Sequence, residues 1–158
     1  MRVFGSLLLM IMIMTHNLYA QDMEAIREGF KNASSSELKS DSFLELTERA
    51  YQETKTPLMQ GYYGVALAVN ASFANNIFSK IGDFNKGKKQ IDKAISKAKD
   101  NIELRMIRLS VQANAPKIAG YYKNIDEDKS FLLSHIDKVE DKELKQFIKG
   151  FMENTDVF

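Results

Sequence analysis

Apolar residues recur at three- and four-residue intervals along almost the whole chain, and runs alternating apolar with polar residues are few. The pattern therefore predicts helices and no sheet. Met23, Ile26 and Phe30 share one face of a first helix, from Asp22 to about Asn32. Ser34, Ser35 and Ser36 break the pattern and offer caps to a second helix within Glu37–Glu53, whose stripe is Phe43, Leu46, Ala50 and Tyr51.

Thr56-Pro57 opens a third helix, because threonine can cap free amides and proline is well tolerated at the first helical position. Tyr62, Val65, Ala66, Val69, Phe73 and Ile77 form one apolar face, and Tyr63, Leu67, Ala74, Phe78 and Ile81 another. The spacing thus predicts one long helix over 57–81, buried on several sides. Gly61, Gly64, Ala66, Ala68, Ala71 and Ala74 are small enough to let neighbours approach it closely.

Gly82 is expected to end that helix and Asp83 to cap the next, in which Phe84, Gly87, Ile91, Ala94, Ile95 and Ala98 share a face. Lys86, Lys89, Lys93 and Lys97 fall opposite. Asp100-Asn101 precedes a helix from Ile102 to about Ala113, with Leu104, Ile107, Val111 and Arg108 towards its neighbours. Pro116 disfavours helical backbone at the residue before it. Asn124 with Glu127 has the spacing of a capping box and opens a helix through Phe131, Leu132, His135 and Val139. Asp141 begins the last helix, with Leu144, Phe147, Ile148, Phe151 and Met152 at amphipathic spacing. The expected fold is all-α, an antiparallel array of about seven helices around the central buried helix 57–81.

Residues 1–20 stand apart. Arg2 precedes an apolar run from Val3 to Met14, and Ala20 follows a short polar stretch, which is the layout of a secretory signal peptide cleaved near Ala20. The run is too short to span a bilayer, which takes about 20 residues. The sequence therefore predicts export, to a periplasm or beyond the cell, with residues 21–158 as a single domain and no transmembrane segment after cleavage.

The chain has 22 basic and 21 acidic residues, and Arg2 is the only charge in the leader, so residues 21–158 are balanced. Balanced charge argues against nucleic acid as a partner. The charges are segregated, however: Lys80, Lys86, Lys88, Lys89, Lys93, Lys97 and Lys99 lie close together with only Asp83 and Asp92. The lysine stripe reads as a solvated face, since the opposite side lacks the large anchors of a membrane-surface helix.

Gly82-Asp83-Phe84, followed by Gly87, Ile91 and Ala94-Ile95, resembles the turn and second helix of a tetratricopeptide repeat. Ala71, Ala74, Asn75 and Phe78 occupy first-helix positions of that motif, with Ala71 smaller than the usual residue and Lys99 where the family has proline. The resemblance covers one unit, about residues 68–101, and implies helical hairpins in which small residues permit close packing. It also implies a concave groove for a protein or peptide, which Asn76 and Lys80 would face, with Arg105 and Arg108 beside it. The overall layout is similar to that of exported bacterial proteins without an assigned activity.

No catalytic or cofactor constellation emerges. Cysteine is absent and His135 is the only histidine outside the leader, which leaves thiolate and histidine chemistry little to stand on. Asp126, Glu127 and Asp128 suggest a cation loop, but Phe131 stands where such a loop needs glycine, so helix-capping charge is the better reading. Arg105 and Arg108, three residues apart, have the fork geometry to hold a carboxylate, either a partner's or one within the fold. The sequence thus predicts a non-enzymatic, cofactor-free interaction or scaffold module, with Asn76, Lys80, Arg105 and Arg108 as partner-binding residues. The alternative is a carrier of a small apolar ligand, in a cavity near Phe73, Phe78, Tyr121 and Tyr122.

Overall fold

Every regular element in the computed structural model, which describes residues 23–158, is helical. The expected leader, residues 1–20, lies outside the described residues. The helices are α1 (residues 23–32), α2 (Glu37–Thr54), α3 (Pro57–Asn70), α4 (Ile77–Lys97), α5 (Ile102–Asn114), α6 (Ile125–His135) and α7 (Lys142–Glu153). Short 3₁₀ turns follow α1, α3 and α6, and another, Lys117–Ala119, follows Pro116.

Polar caps set the starts of these helices by accepting amide protons that have no partner inside the helix. The Ser36 hydroxyl accepts from the Lys39 amide at 3.3 Å, and Thr56 accepts from Met59 at 3.3 Å with Pro57 at the first turn. Asn101 accepts from Leu104 at 2.9 Å, and Asp141 from Glu143 and Leu144 at 2.9 and 3.2 Å. Asn124 departs from the expected box. Its side-chain amide donates to Glu127 at 2.8 Å, and its carbonyl oxygen accepts from Gln112 instead of from its own helix.

The expected helix 57–81 is two elements. α3 ends at Asn70, a 3₁₀ turn covers Ala71–Phe73, and Ala74 turns extended, with φ −60° and ψ 146°. Asn76 then starts a new helix, its carbonyl oxygen accepting from the Ser79 amide at 2.9 Å. α4 runs straight through Gly82-Asp83-Phe84, so the expected turn is helical. Gly82 has open space around it, and Asp83 pairs with Lys86 one turn on, at 2.8 Å, instead of capping. No tetratricopeptide assignment is recognisable in these helices.

Small residues let α3 and α4 pack closely. A Cβ on Gly87 would stand 2.5 Å from the Gly64 carbonyl oxygen and 2.7 Å from the Ala68 nitrogen, and one on Gly61 would meet Leu104 and Ile107 of α5. Gln60 accepts a hydrogen bond from Lys97, at the far end of α4, so α4 is laid back along α3.

The most enclosed helix is α5, whose residues 103–109 are all buried. Around it Phe43, Tyr62, Ile91, Leu132 and Ile148 bring α2, α3, α4, α6 and α7 into one core. Each such side chain contributes about 1.5–3 kcal/mol of burial. That enclosure forces the charges of α5 into the interior.

Candidate functional site

An open groove of about 1910 Å³ crosses one side of the molecule, walled by α1, the end of α3, the first half of α4, the end of α5, and α7. Its floor comes from segments far apart in sequence. Phe30 of α1, Phe84 of α4, and Phe147 and Phe151 of α7 are only partly covered there, beside the buried Val65 and Val111. Phe30 and Phe147 meet edge to face at 5.7 Å, which fixes α7 against α1. The rim is apolar as well: Ile77 and Ile81 on the exposed start of α4 are 60% and 55% accessible, and Ile118, in the turn after Pro116, is 98% accessible.

Charges in the groove walls are unequally satisfied. Arg27 donates through Nε and Nη2 to Glu103 at 2.8 and 3.0 Å, Lys31 pairs with Glu28 at 3.0 Å, and Lys80 donates to the Ser72 carbonyl at 2.7 Å. Glu24, Glu143 and Asp156 also line the groove, and among the described residues their carboxylates accept no hydrogen bond. Arg27 and Lys31 are thus paired with carboxylates, Lys80 is bonded to a neutral carbonyl, and three carboxylates face solvent.

Beneath this surface lie two charge clusters anchored on α5. In the first, buried Glu103 accepts from Arg27 and from the Tyr62 hydroxyl. Burial pushes the Tyr62 hydroxyl pKa well above its ordinary value, and the Glu103 carboxylate adds to that. Burial works against the Arg27 charge, but the Glu103 hydrogen bond and charge outweigh it and raise the guanidinium pKa.

The second cluster holds both arginines singled out in the sequence. Arg108 forms a two-point fork on Asp128, from Nε at 2.6 Å and Nη2 at 2.7 Å. Arg105 donates to the Lys99 carbonyl at 2.9 Å, to Asp128 at 3.0 Å and to Glu127. Asp128 has no solvent exposure, and Arg105 and Arg108 retain 8% and 6%. Hydrogen bonding from Arg105, then from Asn124, holds the Glu127 carboxyl below its usual range. Of the Asp126-Glu127-Asp128 stretch, Glu127 and Asp128 therefore supply internal counter-charge, while Asp126 is exposed. The Arg105 guanidinium lies over the Phe131 ring at 4.9 Å, and His135 stacks on that ring with centroids 4.0 Å apart, so the histidine is a packing residue.

Of the four residues expected to bind a partner, only Lys80 lines the groove. Asn76 caps α4, and Arg105 and Arg108 are turned into the Asp128 cluster. The aromatic residues expected around a ligand cavity are not among its walls either. Phe78 and Tyr122 are 84% and 54% exposed, and Tyr121 is buried with its hydroxyl donating to Asp92 at 2.8 Å.

Sequence reasoning missed Glu103, read Asp128 as helix-capping charge, and placed the groove phenylalanines on helix faces without joining them into a site. A signal existed for Glu103, since it opens a stretch with apolar Leu104, Met106, Ile107 and Leu109, which between them cover most of the helix circumference. Phe147 and Phe151 were visible as an i,i+4 pair, but their partners on α1 and α4 were not. Compared with protein-family models, curated proteins and solved structures, the chain matches none.

Proposed function

We propose that this chain is an exported, non-enzymatic interaction module whose groove, walled by α1, α4, α5 and α7, receives an apolar segment of another protein. The observation that carries the reading is the groove itself, with its phenylalanine floor and highly exposed isoleucine rim. Its volume exceeds the roughly 300–1,000 Å³ of small-molecule sites, and large exposed apolar surfaces mark interaction sites. Export rests on the leader layout of Arg2, Val3–Met14 and Ala20.

The carrier alternative places a small ligand among Phe73, Phe78, Tyr121 and Tyr122, none of which lines the groove. Site-specific photo-crosslinking separates the two readings. A photo-reactive residue at Ile118 is expected to yield a discrete protein adduct that disappears with Ile81→Gln, while the same probe at exposed Leu38 on α2 yields none. Adducts of only lipid or small-molecule mass, or equal adducts from both positions, would sink the protein-binding reading.

A further inference from the structure

We infer that the occupant of the groove is a basic amphipathic helix of a partner protein, an inference that rests on the groove being a binding surface. Size comes first. A helix about 10 Å across rises about 5.4 Å per turn, so each turn occupies roughly 400 Å³. The groove, at about 1910 Å³, has room for a helical segment of several turns. Helix-in-groove recognition needs an apolar bed for residues at i, i+3, i+4 and i+7, and Phe84, Val111, Phe147 and Phe151 supply one.

Charge decides the sign of the partner. Arg27 and Lys31 in the groove walls are already paired with Glu103 and Glu28, which leaves Lys80 of α4, hydrogen-bonded to the neutral Ser72 carbonyl, as the one groove cation without a carboxylate among the described residues. Glu24 on α1, Glu143 in the first turn of α7 and Asp156 in the turn after it accept no hydrogen bond among the described residues, and all three are exposed. A ligand seated on the floor therefore meets unpaired negative charge along the α1 and α7 side. Lysine and arginine side chains can lay their aliphatic stems on the phenylalanines and bring their heads to these carboxylates. An acidic helix, or a membrane rich in anionic lipid, meets repulsion there instead.

Two synthetic helices of about 18 residues, with the same leucine face but lysine or glutamate flanks, test this by fluorescence anisotropy against the full chain. The lysine peptide is expected to bind at least tenfold more tightly, and the gap to narrow as salt rises from about 0.05 to 0.5 M. The combined variant Glu24→Gln, Glu143→Gln, Asp156→Asn, checked for folding by circular dichroism, should bind the lysine peptide about tenfold more weakly, as expected for three exposed pairs. Ile81→Gln with Ile118→Gln should weaken both peptides. Equal affinity for the two peptides, or full affinity in the carboxylate variant, overturns the basic-helix inference, while sensitivity to the isoleucine changes would still uphold the groove. Binding to phosphatidylglycerol vesicles with no peptide binding overturns both.

Discussion

Gly64 of α3 and Gly87 of α4 face each other backbone to backbone, leaving no room for a methyl group between them. Gly82 sits in the same helix in open space. The same substitution should therefore have opposite effects at the two positions. Gly87→Ala pushes a Cβ against a carbonyl that cannot rotate away and should cost about 1–3 kcal/mol. Gly82→Ala should stabilise by about 0.5–1 kcal/mol, because alanine is the better helix former and nothing obstructs it. Thermal unfolding reads both, at about 2–4 °C per kcal/mol for a chain of this size. A loss of stability in Gly82→Ala would mean that the chain turns at that glycine.

The Asp128 carboxylate is the common counter-charge of Arg105 and Arg108. Removing it by Asp128→Ala leaves buried guanidinium charge under-compensated and should cost about 3–5 kcal/mol in urea unfolding. Arg108→Met with Asp128→Leu replaces the fork by apolar contact and should recover part of that loss. With the single variants Arg108→Met and Asp128→Leu completing the cycle, strictly additive losses in the double variant would show that the two side chains are not energetically coupled.

The pH dependence has two limbs of opposite origin. The Glu127 pKa is depressed in the fold, so its contribution is present above the ordinary value of 4.5 and is lost as pH falls through the folded value. Tyr62 is raised, so its contribution is complete below 10.0 and is lost as pH rises beyond it. Burial raises the Tyr121 pKa in the same direction. Unfolding free energy should thus fall below about pH 4.5 and above about pH 10. Glu127→Gln should flatten the acid limb. Tyr62→Phe should reduce the alkaline slope while costing about 1 kcal/mol at neutral pH, because Glu103 loses a donor. An unchanged alkaline slope in Tyr62→Phe would contradict the assignment.

The helical class and most helix starts were legible because they depend on local chemistry: Thr56, Asn101 and Asp141 cap as their side chains allow, and Pro116 leaves Ala115 extended. The break at Ala74–Asn76 was hidden, since periodicity scores Phe73, Ala74, Ile77 and Phe78 as apolar whether or not the chain turns between them. Gly82 misled in the opposite direction. Its intrinsic cost in a helix, about 1 kcal/mol, is overridden by the packing of Gly87, Ile91 and Ala94 on α3.

Tertiary partners set the remaining limit. The spacing of Arg105 and Arg108 announced a carboxylate but not that it would be Asp128, across a loop and on another helix. The groove floor joins residues 30, 84, 147 and 151, and no local window contains them together.

Binding in the groove is tested most directly by methyl and amide NMR of the labelled protein titrated with the lysine-flanked helix. Shift changes are expected to cluster at Ile77, Ile81, Val111 and Ile118 and on the α7 residues Phe147 and Phe151, leaving Leu38 and the remainder of α2 unmoved. Saturating peptide that moves α2 instead, or moves no groove resonance, would contradict it.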